Sequence, residues 1–174
     1  PCVPRGIFFS HGSGEHTLKL GISSDMRLMA IVGEETYYSN DAISFEGLHQ
    51  LEVVIDANTD ERLTTISFYD GTKLIGSSQH EGLYEGTGRY NLGGINGNST
   101  NDFGNYEGEM LEFRLWNRAL SMGEMGEYAQ RTLTGYELGL MDNFPLNEGQ
   151  GEYSYNTVVS GGDLYVGGSE WHVP

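Results

Sequence analysis

Three glutamates in the second half of the chain have a spacing that could support acid and base chemistry. Glu107, Glu109 and Glu112 form the pattern Glu-x-Glu-x-x-Glu. A retaining glycoside hydrolase needs two carboxylates about 5–5.5 Å apart, one as the nucleophile and one as the acid and base. Glu107 and Glu112 are therefore a candidate catalytic pair. No cluster of tryptophans accompanies them, so we expect these side chains to form the acidic face of an edge strand and the protein not to be an enzyme.

A polar loop could supply ligands for a metal ion. Residues 96–102 read Asn-Gly-Asn-Ser-Thr-Asn-Asp, and calcium prefers hard oxygen ligands of this kind. The candidate ligands are Asn98, Asn101 and Asp102, and calcium is the candidate cofactor. Asparagine and glycine also form ordinary turns. Because a single aspartate supplies little charge, a calcium site here would need a second loop, such as the one at 40–41, to converge on it.

Three tyrosines beside polar loops are candidate carbohydrate-binding residues. Tyr84, Tyr90 and Tyr106 lie near segments that are rich in Asn, Asp and Glu. A sugar site needs exposed aromatic faces beside hydrogen-bonding side chains, and the amphipathic tyrosine ring suits that role. The alternative is that these rings pack between sheets, as most large aromatic side chains do.

A strand followed by a capped helix must position the residues in this part of the chain. The alternating run 112–116 predicts a strand with one buried side. Ser121 lies three residues before Glu124, so the two side chains can satisfy backbone amides reciprocally as a capping box. Apolar residues then recur at helical spacing, which predicts a short helix over 121–133 that ends before Gly135.

The rest of the sequence is typical of short strands joined by tight turns. It contains 26 Gly, 11 Tyr and 7 Phe, and its apolar runs are short. The strongest predicted strand is 48–56, and the clearest hairpin joins 64–69 to 73–76 through a type I′ turn at Asp70-Gly71. A further strand is expected to begin near Gly108. Six or more antiparallel strands with one terminal helix predict an all-β, two-sheet jelly-roll sandwich.

The charge of the chain limits its partners. There are 25 acidic and 9 basic residues, which give a formal charge of −16. A surface of this sign repels phosphate groups, so we expect no nucleic acid partner. Divalent cations or basic protein surfaces fit better. No apolar stretch approaches the roughly 20 residues that a membrane span needs, so no membrane insertion is expected. Cys2 is the single cysteine and cannot form a disulfide within the chain.

Several segments resemble a known family in their order and spacing. YDGTKL, NLGGINGN and FGNYEGEMLEFRLWNRALSMGEM, within residues 7–130, are similar to the laminin-G-like jelly roll of the concanavalin A-like lectin and glucanase superfamily, which includes the pentraxins. The resemblance implies a non-catalytic sandwich in which an aromatic-Asn-Arg-Ala-Leu-Ser run precedes a short helix, and such domains often bind calcium. Leu48 stands where the family has Trp. Retaining glucanases of the superfamily carry Glu-x-Asp-x-x-Glu, whereas the central residue here is Glu109.

The last part of the chain resembles the beginning of such a domain. We therefore expect residues 1–137 to form a sandwich without its usual first strands, and residues 138–174 to form strands that pack on the same or a neighbouring sandwich. Either the chain spans two tandem repeats, or the last segment folds back to supply the missing strands. An unpaired sheet edge promotes aggregation, so some segment must cover it.

The resemblance and the composition together lead to one functional expectation. We expect a non-catalytic module of a larger extracellular or cell-surface protein, similar to the tandem repeats of large bacterial surface proteins. Its role would be adhesion, spacing, or recognition of a glycan or an extracellular protein, beside other domains of the same parent protein. The alternative is a retaining glycoside hydrolase of the same superfamily that uses Glu107 and Glu112.

Overall fold

The computed structural model describes residues 3–12, 17–44, 46–84, 86, 88–94, 103–167 and 169–171. Within these residues the chain forms antiparallel strands and one short helix, so the predicted all-β sandwich with a single helix is confirmed. The chain divides into two compact units, Pro1–Gly108 and Glu109–Pro174. No helix among the described residues is long and apolar enough to cross a membrane.

The first unit contains two antiparallel sheets. Its strands are β1 (Gly6–His11), β2 (Leu18–Ile22), β3 (Leu28–Val32), β4 (Glu35–Tyr38), β5 (Leu51–Asn58), β6 (Leu63–Asp70), β7 (Lys73–Glu81) and β8 (Tyr90–Leu92). One sheet has the order β4-β3-β2-β1-β8 and the other β5-β6-β7. The sheets meet along β4 and β7, where the backbone amides of Asn40 and Asp41 both donate to the carbonyl oxygen of Ile75.

The core of the first unit lies on both faces of β3. All five residues of this strand are buried. Met29 and Ile31 cluster with Ile7 and Phe103 on one face of the sheet. Strand alternation turns the other residues of β3 to the opposite face. In the three-stranded sheet, alternate residues of β6 are buried, and Phe68 is the largest of them.

A β-bulge in β1 allows this strand to place a buried side chain on each face of its sheet. Ile7 pairs with Gly21 and Phe9 with Leu20, so Phe8 is the extra residue. The bulge changes the alternation of side chains by one residue, and Ile7 and Phe9 therefore point to opposite faces. Both are buried. One strand thus supplies a large apolar side chain to each side of the sheet.

The hairpin between β6 and β7 is confirmed, but its turn differs from the prediction. Asp70 pairs with Lys73, so the two-residue loop is Gly71-Thr72 rather than Asp70-Gly71. Gly71 has a φ of 59°, whereas Thr72 is not among the residues with positive φ. A glycine at the first central position with positive φ is typical of a type II′ turn, because type I′ requires positive φ at both central residues.

The second unit is built from two short ribbons and the helix. Its elements are β9 (Phe113–Trp116), α1 (Met122–Ala129), β10 (Leu140–Phe144), β11 (Tyr153–Ser154) and β12 (Leu164–Tyr165). β9 pairs with β10, and β11 pairs with β12, both antiparallel. The core contains Leu133, Leu140 and Val158, with Trp116 and Tyr128 packed against them. Trp116 stacks on Tyr128 with 5.1 Å between the ring centroids.

The start of the helix matches the prediction and its end does not. Ser121 and Glu124 form the predicted capping box. The helix ends at Ala129, four residues before the predicted end at 133. The Arg114 guanidinium donates to the carbonyl oxygen of Tyr128 in the last turn, at 2.7 Å, and to that of Arg131 beyond the helix, at 3.3 Å. The first of these bonds satisfies one of the last carbonyls of the helix.

One predicted boundary falls elsewhere in the structure. The strand expected to begin near Gly108 begins at Phe113. The backbone of Glu107 instead bonds to that of Arg5 in the first unit, which ends at Gly108. β10 lies after residue 137 and pairs with β9, which lies before it.

Candidate functional site

Arginines engage both glutamates of the candidate catalytic pair. Arg5 Nε donates to Glu107 Oε2 at 3.0 Å in the first unit. In the second unit Arg114 binds both carboxylate oxygens of Glu112, each at 2.9 Å. Neither glutamate lies in one of the described strands, so the expected acidic strand face does not form. The bidentate pair with Arg114 holds the Glu112 carboxylate in a defined geometry.

The candidate calcium ligands cannot be placed. Asn98, Asn101 and Asp102 lie outside the described residues. In the second loop considered for this site, Asp41 forms an ion pair with Lys73 Nζ at 2.8 Å. Within the part of the chain that the structure describes, no group of three His, Cys, Asp or Glu side chains is arranged to hold a metal ion.

Tyr84, the first of the candidate sugar-binding tyrosines, is partly buried beside a histidine. Its hydroxyl lies 2.5 Å from His11 Nδ1, and the two rings meet edge to face. Burial raises the pKa of Tyr84 to about 12. The hydroxyl is therefore already hydrogen-bonded within the protein.

The other two candidate tyrosines pack against phenylalanines of β1. Tyr90 stacks on Phe9 with 5.6 Å between centroids, and Tyr106 meets Phe8 edge-on at 6.1 Å. Both tyrosines are partly buried. Tyr90 is also the cross-strand partner of His11, which brings it to the same region as Tyr84. Tyr106 contacts a different ring.

Three other tyrosines, all in the second unit, present exposed rings. Tyr153, Tyr155 and Tyr165 are 49, 63 and 61% exposed, respectively. Tyr153 and Tyr165 are cross-strand partners in the β11–β12 ribbon, and their rings lie 5.5 Å apart at an angle of 61°. Tyr155 follows two residues after Tyr153, immediately beyond the end of β11, and extended backbone would turn its side chain to the same side. These three residues are referred to below as the tyrosine cluster.

Neighbouring segments hold the ribbon that carries the tyrosine cluster. Glu148 Oε1 accepts hydrogen bonds from the Ser154 hydroxyl at 3.0 Å and from the Tyr155 amide at 2.8 Å. The indole of Trp171 donates to the carbonyl oxygen of Gly151 at 2.8 Å. An isolated two-stranded ribbon is only marginally stable in water, so these contacts help to fix its geometry.

An aspartate and a glycine adjoin the tyrosine cluster. Asp163 is exposed and precedes Tyr165 by two residues; its Oδ1 accepts a hydrogen bond from the Asn156 amide at 3.2 Å. Gly167 lies so close to the ring of Tyr165 that an added Cβ would collide with it. The cluster therefore combines ring faces with a carboxylate acceptor.

Sequence reasoning missed the tyrosine cluster, although a signal for it was present. Tyr153-Ser154-Tyr155 alternates with the period of a strand, and Ser154 is the buried residue of the three. This pattern predicts two tyrosines on one exposed side. The pairing with Tyr165 has no local signal, because it depends on the register of β11 with β12.

A second group of titratable side chains lies in the first unit. The hydroxyl of Tyr37 donates to Glu35 Oε2 at 2.6 Å, and His80 Nδ1 lies 2.8 Å from the same oxygen. Burial and the bond to Glu35 raise the pKa of Tyr37 to about 12, and the bonds from Tyr37 and His80 lower the pKa of Glu35. These bonds link β4 to β7, which gives the group a structural role where the two sheets meet.

No family model, no curated protein and no solved structure matches the chain. The laminin-G-like resemblance therefore stays a prediction.

Proposed function

We propose that the chain is a non-catalytic carbohydrate-recognition module of a larger extracellular protein, and that the tyrosine cluster binds sugar rings. The observation that carries this proposal is the exposure of two paired tyrosines on one short ribbon, with a third exposed tyrosine next to it in the chain. Each ring offers an apolar face to the apolar face of a pyranose, and each hydroxyl can bond to sugar hydroxyls.

The arrangement of the rings supports binding rather than core packing. Single exposed apolar residues are normal on a protein surface, whereas a group of them marks an interaction site. Tyrosine also loses little conformational entropy on binding, since it has only two side-chain torsions. The exposed Asp163 supplies a hydrogen-bond acceptor beside the rings.

Tyr84, Tyr90 and Tyr106 have a smaller part in this proposal. Their contacts with His11, Phe9 and Phe8 use ring surface that a sugar would need. Adhesion would follow from the same chemistry if the bound glycan belongs to a neighbouring cell or matrix. Calcium binding through Asn98, Asn101 and Asp102 stays a separate prediction, which can be tested separately.

Affinity electrophoresis through gels that contain different soluble polysaccharides tests the proposal. We expect retardation by at least one polysaccharide, and about threefold to tenfold weaker binding for Tyr155→Ala and for Tyr165→Ala. Tyr136→Ala is the matched control, because Tyr136 is 83% exposed in the same unit but lies outside the cluster. Equal retardation of all these proteins by every polysaccharide would contradict the proposal.

Two further measurements separate the remaining possibilities. Loss of retardation on chelation, with recovery on adding Ca²⁺, would assign a role to the loop that contains Asp102. Release of reducing sugar by the wild type but not by Glu112→Gln would favour the hydrolase alternative over a non-catalytic module.

A further inference from the structure

We propose that the tyrosine cluster prefers glycans that carry protonated amino groups, such as β-1,4-linked glucosamine oligomers, over neutral or anionic glycans. This inference rests on the proposed carbohydrate binding and names its ligand class. Two independent features support it: the charge of the segment that carries the cluster, and the position of one carboxylate beside the rings.

The charged residues of the segment that carries the cluster are acidic. Residues 132–174 contain no Lys or Arg, and their only histidine, His172, lies outside the described residues. The acidic residues in this segment are Glu137, Asp142, Glu148, Glu152, Asp163 and Glu170. Arg131, just before this segment, lies 3.8 Å from Glu137 and compensates its charge. The remaining carboxylates would repel an anionic glycan and attract a cationic one.

Some of these carboxylates are already used inside the protein. Thr134 and Gly135 donate to Glu137, Asn156 donates to Asp142, and Tyr155 donates to Glu148. The side chains left at the surface are those of Glu152, Asp163 and Glu170, all of which are exposed.

Asp163 is the carboxylate best placed to meet a bound sugar. The register of β11 with β12 pairs Tyr153 with Tyr165. The ladder ends at the pair Ser154 and Leu164, and the same register extended by one pair would set Asp163 opposite Tyr155. The bond from the Asn156 amide to Oδ1 keeps this carboxylate near Tyr155.

The tyrosine rings and the Asp163 carboxylate both attract a positively charged ligand. The face of an aromatic ring attracts a cation, and this attraction adds to that of a nearby carboxylate. A glucosamine unit presents both an apolar ring face and an ammonium group. Such a unit can stack on one tyrosine while its ammonium group lies toward Asp163. A neutral sugar has no ammonium group and therefore lacks this attraction to the carboxylate.

Two oligosaccharides of the same length and linkage provide the direct test. One is an oligomer of glucosamine, and the other is its fully N-acetylated form, so the pair differs in charge on a common backbone. Isothermal titration calorimetry should show tighter binding of the glucosamine oligomer, with an advantage that shrinks as the salt concentration rises. It should shrink again as the pH rises and the sugar amines lose their protons.

Substitution of the carboxylate locates the effect. We expect Asp163→Asn to reduce the preference for the glucosamine oligomer about twofold to fivefold, as for an exposed charge pair. Asparagine keeps an oxygen that can accept from the Asn156 amide, and thermal unfolding checks that the fold is unchanged. Asp56→Asn is the control, because Asp56 is exposed on β5 of the first unit and its substitution makes the same charge change.

The outcomes distinguish this inference from the proposed function. Binding of the N-acetylated oligomer as tightly as the glucosamine oligomer, with loss in Tyr165→Ala, would overturn the inference and leave carbohydrate binding in place. Equally tight binding of an oligolysine of the same charge would also overturn it, because charge alone would then explain the affinity. A complete lack of binding to any glycan would overturn the proposed function itself.

Discussion

Arg118 and Glu124 form an ion pair that also fixes the start of the helix. Arg118 Nη2 donates to Glu124 Oε1 at 2.7 Å, while Glu124 Oε2 accepts from the amide and the hydroxyl of Ser121, each at 2.9 Å. The bond from Arg118, followed by those from Ser121, lowers the pKa of Glu124 to about 2 from a usual value of 4.5. One carboxylate thus connects the segment after β9 to the N-terminus of α1.

The lowered pKa of Glu124 predicts a defined acid dependence of stability. A carboxyl whose pKa is depressed by folding contributes stability above its unfolded pKa, and the contribution is lost as the pH falls through the folded value. We expect the difference in unfolding free energy between wild type and Glu124→Gln to be largest above about pH 5 and to shrink toward pH 2. Urea unfolding at a series of pH values measures it, with Glu170→Gln as the control for loss of one exposed charge. A difference that does not change with pH would contradict the prediction.

We expect the hydroxyls of Tyr84 and Tyr37 to lose their protons at a higher pH than ordinary tyrosines. Each has a pKa raised to about 12 from 10.0, chiefly by burial. An acid whose pKa is raised by folding contributes stability below its unfolded pKa, and the contribution is lost as the pH rises through the folded value. Ultraviolet titration of tyrosinate should therefore show a component near pH 12 that decreases in Tyr84→Phe. Tyr136→Phe, at an exposed position, should leave that component unchanged.

We expect the nearly isosteric substitution Asn156→Asp to lower the stability of the protein strongly. Its Oδ1 accepts from the amides of Asn143 and Val158, at 3.1 and 3.0 Å, and its Nδ2 donates to Asp142 Oδ1. Asn156→Asp would replace that donor with a second carboxylate facing Asp142. We expect a loss of about 1–3 kcal/mol in unfolding free energy, measured by urea unfolding near neutral pH.

A second asparagine supplies the control for this substitution. Asn58 Oδ1 accepts from the amides of Asp60 and Glu61 in an exposed turn. Aspartate can accept the same two bonds, so Asn58→Asp should cost much less stability than Asn156→Asp. Equal losses in the two variants would show that added charge, rather than the lost bond to Asp142, determines the effect.

We expect the substitution Gly167→Ala to weaken glycan binding without lowering stability. A Cβ at this position would collide with the outer atoms of the Tyr165 ring, which must then rotate away. We expect Gly167→Ala to weaken glycan binding about twofold to fivefold in affinity electrophoresis while the thermal unfolding midpoint stays unchanged. In Gly162→Ala the new Cβ would have no atom within 4 Å among the described residues, so this variant should bind as the wild type does.

Features determined by neighbouring residues could be predicted from the sequence. The capping box joins Ser121 to Glu124 across one turn, and the hairpin of β6 and β7 has its glycine in the loop. Both depend on a few consecutive residues. Near the end of the helix, the carbonyl oxygen of Tyr128 instead accepts a hydrogen bond from Arg114, which lies on a preceding strand. That bond has no signature in the helical segment itself.

The exposure of the candidate binding residues also could not be predicted from neighbouring residues in the sequence. Tyr84 and Tyr165 are the same residue type, each directly after a leucine, and the sequence does not distinguish their exposure. Tyr84 is partly buried because His11, 73 residues away, meets its hydroxyl and ring. Tyr165 is 61% exposed because its cross-strand neighbour is another surface tyrosine. Exposure follows from long-range pairing, which a single sequence does not determine.

The complete burial of β3 has a consequence for local opening of the chain. Its five residues have hydrogen-bonded strands on both sides and apolar contacts on both faces, so its amides should be among the last to exchange with deuterium. The β11–β12 ribbon has two residues in each strand and should exchange early. The chain would then keep a slowly exchanging interior in its first unit, while the short ribbon of its second unit opens more often.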